Sequence, residues 1–269
     1  MRIPLLPPRT PVVSVVSLSG LIAADMRGAA LNLAAVEPML DRAFRRRGTC
    51  AVALRINSPG GSPVQSSMIG AAIRRLAEET EVPVHAFVED VAASGGYWLA
   101  AAADDIWLDE SSITGSIGVI SAGFGFSEAL GKLGVERRVH TAGEDKSMLD
   151  PFRPERAEDV ERLKALQGRI HRAFIAHVEA RRGAKLDRSR DLFTGEIFVG
   201  REAVEAGLAD GIAHLVPKMR ALYGERVRFR RLARRRPLAT RLVPWVADAA
   251  AASALAALDE RAARARLGL

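Results

Sequence analysis

The sequence predicts an α/β protein with a largely parallel sheet, and two observations carry that prediction. Short runs rich in valine and isoleucine alternate with helical stripes through most of the chain, a pattern that places crossover helices between parallel strands. Two of the apolar runs end in small-residue and glycine turns that open directly into helices, Ile56-Asn57-Ser58-Pro59-Gly60-Gly61 and Val91-Ala92-Ala93-Ser94-Gly95-Gly96-Tyr97. With 269 residues, 48% apolar and 26% charged, the chain can bury a full core as one large domain or two small ones.

The elements follow in order. Residues 1–9 form a Pro-rich tail, and 12–18 a valine-rich first strand. Residues 33–46 carry Val36, Leu40 and Phe44 on one helical stripe, with Pro38 assigned to the first turn, where proline is tolerated. Residues 50–57 read as a buried strand entering the first glycine turn, and 64–79 as a helix with Ile69, Ala72, Ile73 and Leu76 inward. A strand at 83–89 leads to the second turn and its apolar helix, and a short strand follows at 106–108. Further strands are expected at 117–121 and 135–141, on either side of a helix at 126–133 closed by Gly134, with a loop at 142–154. A long helix runs from about 155 to 182 and stops at Gly183. Short strands at 196–199 and 227–232 flank a helical turn at 202–206, and 243–267 is Ala-rich and helical. Residues 10–232 are thus assigned to one catalytic domain, and 233–269 to a basic, helical C-terminal extension.

Composition excludes several functions. The single cysteine, Cys50, opens an apolar run, so it reads as a small buried hydrophobe and leaves no disulfide framework or Cys-rich metal cluster. The net charge of +7 is concentrated in Arg228, Arg230, Arg231, Arg234, Arg235 and Arg236, and only 5% of residues are aromatic. That balance points to a solvated face or an anionic-membrane contact, not to a nucleic-acid groove. Prolines interrupt residues 1–8 before an apolar core of signal-peptide length develops, which predicts a cytoplasmic chain touching the inner face of the membrane peripherally at most.

The chemistry centres on Ser94. A serine between a strand and a helix N-terminus lies among free backbone N–H groups that favour a developing anion, and glycine lets a substrate carbonyl approach them. A serine nucleophile needs a base. The five histidines, His85, His140, His171, His177 and His214, all fall outside the glycine- and proline-marked turns and read as structural or surface groups. A lysine can serve when desolvation leaves its amine neutral. Lys146 lies in the loop Gly143-Glu144-Asp145-Lys146-Ser147-Met148-Leu149-Asp150-Pro151-Phe152, where Met148, Leu149 and Phe152 supply apolar neighbours. The turn Thr114-Gly115-Ser116-Ile117-Gly118 adds another hydroxyl.

With Asn57-Ser58-Pro59-Gly60-Gly61, Ala93-Ser94-Gly95-Gly96-Tyr97, Thr114-Gly115-Ser116-Ile117-Gly118, the Lys146 loop, and Gly200-Arg201-Glu202-Ala203 followed by Gly207-Leu208-Ala209-Asp210, all in this order, residues 10–215 resemble the signal peptide peptidase A family of serine peptidases. The resemblance implies a Clp-protease/crotonase-like fold of repeated ββα units with largely parallel sheets. It also implies a Ser-Lys dyad, with Ser94 as nucleophile, Lys146 as general base and Ser116 orienting the amine. The N–H groups of Gly61 (or Gly60) and Gly95 then line an oxyanion hole, and Tyr97, Arg201 and Asp210 are structural. It implies an endopeptidase without cofactor or metal, acting on signal-peptide remnants or other short unfolded or membrane-derived peptides, and assembling into a homo-oligomer. The rival readings on such a fold are an acyl-CoA enzyme of the crotonase type, a Ser-His-Asp peptidase and a silent scaffold. The joint presence of Ser94, Ser116 and Lys146 disfavours the first, and the want of a histidine soon after Ser94 the second.

Overall fold

The computed structural model describes residues 10–24, 30–143 and 146–232, together with Arg261 and Arg264. The N-terminal tail and the helix expected at 243–267 fall outside the described residues, apart from those two arginines. The chain divides into two compact units: Gly118–Phe174 is one, and the sequence on either side of it forms the other.

The larger unit is built on one eight-stranded sheet. Its strands are β1 (Val12–Ser19), β2 (Thr49–Ser58), β3 (Val84–Ala93), β4 (Asp105–Leu108), β5 (Ile113–Gly115), β6 (Ile197–Val199), β7 (Gly211–Ile212) and β8 (Arg228–Leu232). They run in the order β6-β5-β3-β2-β1-β8, with β4 also on β3 and β7 on β4. Every pairing is parallel except β5 with β6. The predicted α/β class with a largely parallel sheet is therefore the observed one.

β3 runs longer than its periodicity suggests, from residue 84 through to 93. Its first residues, His85 to Phe87, pair with β4, and its last, Val91 to Ala93, pair with β5. The strand thus leaves one neighbour for another just before Ser94, and a register shift interrupts β2–β3 between Ile56 and Ser58. Both irregularities fall next to the glycine turns, where they re-aim the strand ends.

The helices are α1 (Leu33–Phe44), α2 (Pro63–Thr80), α3 (Gly95–Ala101), α4 (Ser127–Lys132), α5 (Ala157–Arg182), α6 (Gly200–Glu205) and α7 (Leu215–Tyr223). Asn32 caps α1, its side chain accepting from the Ala35 N–H at 2.9 Å. That cap starts the helix early enough to leave Pro38 inside it, not in its first turn. α7 has no counterpart among the sequence expectations. Its Met219 packs against Val13, Val15, Ala51, Ala53 and Phe87, and Leu215 and Tyr223 border this cluster. By alternation, Val16, Leu18, Val52, Leu54 and Ile56 occupy the other face of β1 and β2, fully buried.

Two expected strands are absent. Residues 117–121 form no strand; the strand lies earlier, at β5, because Gly115 (φ 87°) and Ser116 (φ 50°) turn the chain off the sheet. Residues 135–141 are irregular as well and largely exposed, so Val135 and Val139 have no buried sheet face to pack on.

His85 is structural, as its place near the start of β3 suggests. Its Nδ1 donates to the Asp105 carboxylate at 2.8 Å, and its Nε2 shares a hydrogen bond with the Tyr223 hydroxyl at 2.8 Å. Burial pushes that hydroxyl up to about 12, so it remains a donor. The bond ties the end of α7 to the sheet.

A second polar cluster lies behind α3. Arg182, 2% exposed, donates from Nη1 to Asp210 at 2.5 Å and from Nη2 to the Gly207 carbonyl at 2.7 Å. The Tyr97 hydroxyl donates to the neighbouring Leu208 carbonyl at 2.9 Å. Burial pushes the Asp210 carboxyl up, but Lys185, Arg182 and the Ile106 N–H outweigh it and hold it below the usual carboxylate range. Asp210 thus contributes stability at pH values above about 3.9, which is lost as the pH falls through its lower folded value. Arg182→Met removes the buried cation from a half-buried carboxylate, which keeps Lys185 and the Ile106 N–H, and leaves the Gly207 carbonyl without its guanidinium donors. It should lower stability by about 3–5 kcal/mol, measured by urea denaturation, while Arg201→Met, at an exposed ion pair with Glu110, should change it by less than about 1 kcal/mol.

Candidate active site

The two glycine turns at the ends of β2 and β3 pack against each other. After β2, Ser58 is buried; its hydroxyl donates to the Gly20 carbonyl at 2.7 Å and accepts from the Gly60 N–H at 3.2 Å. The Ile22 N–H donates to the Gly60 carbonyl at 2.8 Å, and the Ser62 N–H to the Ile22 carbonyl at 2.7 Å. These bonds stitch the turn along residues 20–22 and deliver the chain into α2, where Ser62 is the N-cap and Pro63 the first residue.

Close approach explains why glycine stands at these positions. Gly60 has φ 100°, and a Cβ there would lie 2.7 Å from the Gly95 nitrogen and 2.9 Å from Ser94 Cβ. At Gly61 (φ 137°) a Cβ would collide with the Ile22 carbonyl, at Gly95 with Ser66 Oγ, and at Gly96 with the Ser58 carbonyl. No side chain fits between the turns, so backbone faces backbone.

Ser94 itself has φ 51° and ψ −121°. A non-glycine residue in this region is strained by about 1–3 kcal/mol, and such strain persists only where the surroundings over-determine it. Here the Ser94 N–H donates to the Gly115 carbonyl at 2.9 Å, and its carbonyl accepts from the Trp98 N–H at 3.0 Å. Its side chain makes no capping bond to α3, which leaves the hydroxyl uncommitted to the helix. Among the described residues, the N–H groups of Gly61 and Gly95 have no hydrogen-bond acceptor. The Gly60 N–H, the alternative oxyanion donor in the sequence reading, is already taken by Ser58 Oγ.

Ser116 directly follows β5, whose Thr114 pairs with Ala92. It stands at φ 50°, and its N–H donates to the Glu196 carbonyl at 2.7 Å. The larger unit thus brings together Ser94, Gly60, Gly61, Gly95 and Ser116, the last through the Gly115 carbonyl that holds Ser94.

Lys146 belongs to the smaller unit. It opens a turn, its N–H donating to the Gly143 carbonyl at 3.3 Å, and it is exposed. Of the apolar neighbours expected to desolvate it, Phe152 instead stacks on Phe126, centroids 5.7 Å apart, under the Arg137 guanidinium. The water exclusion needed for a neutral amine is therefore not built into this loop on its own. The same unit encloses a cavity of about 810 Å³ lined by residues that include Phe124, Phe126, Ser147, Leu149 and Pro151.

One contact next to the Ser94 turn is not visible in the sequence. His177, which reads there as a structural or surface group, reaches Trp98 in the first turn after Ser94. Nothing in its place on a long helix signals that contact, because the pairing spans 79 residues.

Fold and turn together define an α/β protein of the Clp-protease/crotonase-like class, with a strained serine at a strand-to-helix junction. The chain belongs to peptidase family S49, a family of serine peptidases, whose model matches residues 77–222. It is 31% identical over 198 residues to a putative protease of Synechocystis, covering 74% of this chain and 68% of that protein. It is 32% identical over 163 residues to a putative signal peptide peptidase SppA of Enterococcus faecium, covering 61% of this chain but 47% of that protein. A Brucella melitensis protein named Na(+)/H(+) antiporter NhaA is 51% identical over 216 residues, which make up 80% of this chain and 29% of that protein. The chain thus spans less than half the length of two of these three relatives. Among solved structures, a point mutant of the 1510-N membrane-bound stomatin-specific protease covers 84% of this chain and 99% of its own, with a TM-score of 0.50 at 15% identity; at that identity the likeness concerns the fold. Among the described residues no helix is long and apolar enough to cross a membrane.

Proposed function

We propose that this chain is a serine endopeptidase that works through a Ser94–Lys146 dyad and an acyl-enzyme. The observation that carries the reading is Ser94 held at positive φ in a turn packed on the Gly60-Gly61 turn, with the Gly61 and Gly95 N–H groups lacking an acceptor among the described residues. In the reaction Ser94 Oγ attacks the scissile carbonyl carbon and its proton passes to Lys146 Nζ. The carbonyl oxygen becomes an oxyanion received by the Gly61 and Gly95 N–H groups. Collapse of this intermediate breaks the C–N bond, and the leaving amine takes the proton from the Lys146 ammonium. Water, deprotonated by the now neutral Lys146 amine, then attacks the ester carbonyl; the acyl C–O bond breaks and the Lys146 ammonium returns the proton to Ser94 Oγ. Ser116 accepts from the lysine amine and orients it. Gly60 shapes the turn, its N–H given to Ser58 Oγ and not to the oxyanion.

The substrates in this proposal are short unfolded peptides, signal-peptide remnants included, a class consistent with the name of the Enterococcus relative. The chain acts as a homo-oligomer, cytoplasmic or resting on the inner membrane face. A fluorophosphonate probe tests the chemistry: it should label the intact protein at Ser94, located by peptide mapping. Recovery of unmodified Ser94 after prolonged exposure, in protein that cleaves a peptide, would sink the assignment.

A further inference from the structure

Trp98 links the Ser94 turn to α5. Its N–H donates to the Ser94 carbonyl at 3.0 Å. Its own carbonyl accepts from His177 Nε2 at 3.0 Å. The indole stacks on the His177 ring, with centroids 4.7 Å apart and planes 11° from parallel. It also abuts Gly70 of α2, where a Cβ would lie 3.1 Å from Trp98 Cδ1. A seven-residue helix leaves its last carbonyls without intrahelical partners. Here the carbonyls that follow are met from outside: Ala101 and Ala103 by Arg181, and Ala102 by Arg74.

We infer that His177 is a positioning residue for the nucleophile, holding Trp98 and through it the strained Ser94 turn in its reactive form. The inference rests on the assignment of Ser94. Ser94 cannot keep φ 51° by local preference, so the conformer depends on the groups that fix both ends of its turn. One end is anchored in the sheet by the Gly115 carbonyl. The other is anchored by Trp98, whose ring and carbonyl His177 both engage.

The contact is sensitive to protonation. Burial holds His177 below the ordinary histidine value; the bond to the Trp98 carbonyl opposes this and the Arg181 charge adds to it. Trp98, the α3 residue against the ring, is uncharged. The charge that acts on the His177 ring is Arg181 of α5, which is in turn coupled to Asp104, to which Arg181 and Arg74 both donate, and to Arg74 and Glu78 of α2. A second positive charge beside Arg181 is unfavourable in this pocket. The anchor is therefore intact above about pH 6.5, and weakens as the pH falls from there through the lower folded value.

Two variants test the inference. In His177→Phe the stack survives and the donor is lost. In His177→Gln an amide N–H replaces the imidazole donor without a titrating group. Peptide turnover and the rate of fluorophosphonate labelling at Ser94 are followed between about pH 5 and 8. For His177→Phe, kcat and the labelling rate should fall roughly tenfold with KM unchanged, the loss of one buried hydrogen bond. For His177→Gln both should recover to near wild type, and the added loss expected of wild type below about pH 6.5 should be absent. Equal kcat in His177→Phe and wild type, or the same acid loss in His177→Gln, would overturn the inference. Failure of the wild type itself to label at Ser94 would instead remove the nucleophile assignment, and the inference with it.

Discussion

Ser94→Ala should reduce peptide turnover by on the order of 10⁴-fold or more while leaving the fold intact. The loss is large because no second hydroxyl occupies the turn: the neighbours are Ala93 and Gly95, and Ser116 is held by a different strand end. The fold survives because the Ser94 hydroxyl caps nothing, and its backbone bonds to Gly115 and Trp98 do not involve the side chain. A methyl group at the same Cβ keeps the van der Waals contact with Gly60. Peptide affinity, read by equilibrium binding of an uncleaved substrate to the variant, should be close to the wild-type KM where chemistry limits turnover. Retention of wild-type turnover would show that the nucleophile lies elsewhere. Loss of the cooperative unfolding transition would show that Ser94 acts structurally.

Lys146→Arg should cost roughly 10²- to 10⁴-fold in kcat/KM, although the side-chain charge is conserved. A guanidinium stays protonated in any protein environment and cannot take the Ser94 proton. The exposed position of Lys146 makes this a sharp test, since an exposed lysine with no role in chemistry tolerates arginine with almost no change in stability. The unfolding midpoint should therefore be unchanged while turnover collapses, and Lys146→His should retain more activity than Lys146→Arg because imidazole can be neutral. Substantial turnover in the arginine variant would transfer the base to another group. His140, in the same unit, would be tested next by His140→Gln.

The sequence by itself determined the parallel α/β class of the larger unit and the two glycine turns that its strands β2 and β3 run into. The β-branched runs of β1, β2 and β3 and the stripes of α1, α2 and α5 each carry a period visible within ten or twenty residues. The turns Ser58-Pro59-Gly60-Gly61 and Ser94-Gly95-Gly96 are legible because glycine at a strand-to-helix junction has few other uses. Family membership is legible for the same reason, through several short segments in one order. Local pattern misleads where burial is missing: 117–121 and 135–141 have the composition of strands, yet neither has a neighbour to pair with, and β5 forms instead from three residues that the ladder to β3 and β6 selects. α7 is invisible in the sequence because its apolar residues have meaning only against the sheet face they cover. That the Gly60 N–H is engaged, whereas the sequence left Gly60 and Gly61 equivalent, follows from one buried hydroxyl, Ser58 Oγ, which accepts from it. The contact of His177 with Trp98 was decided by tertiary packing alone. Spacing along the chain records which residues share a helix face or a strand face, whereas a hydrogen bond between residues 79 apart is set by where the whole fold returns the chain.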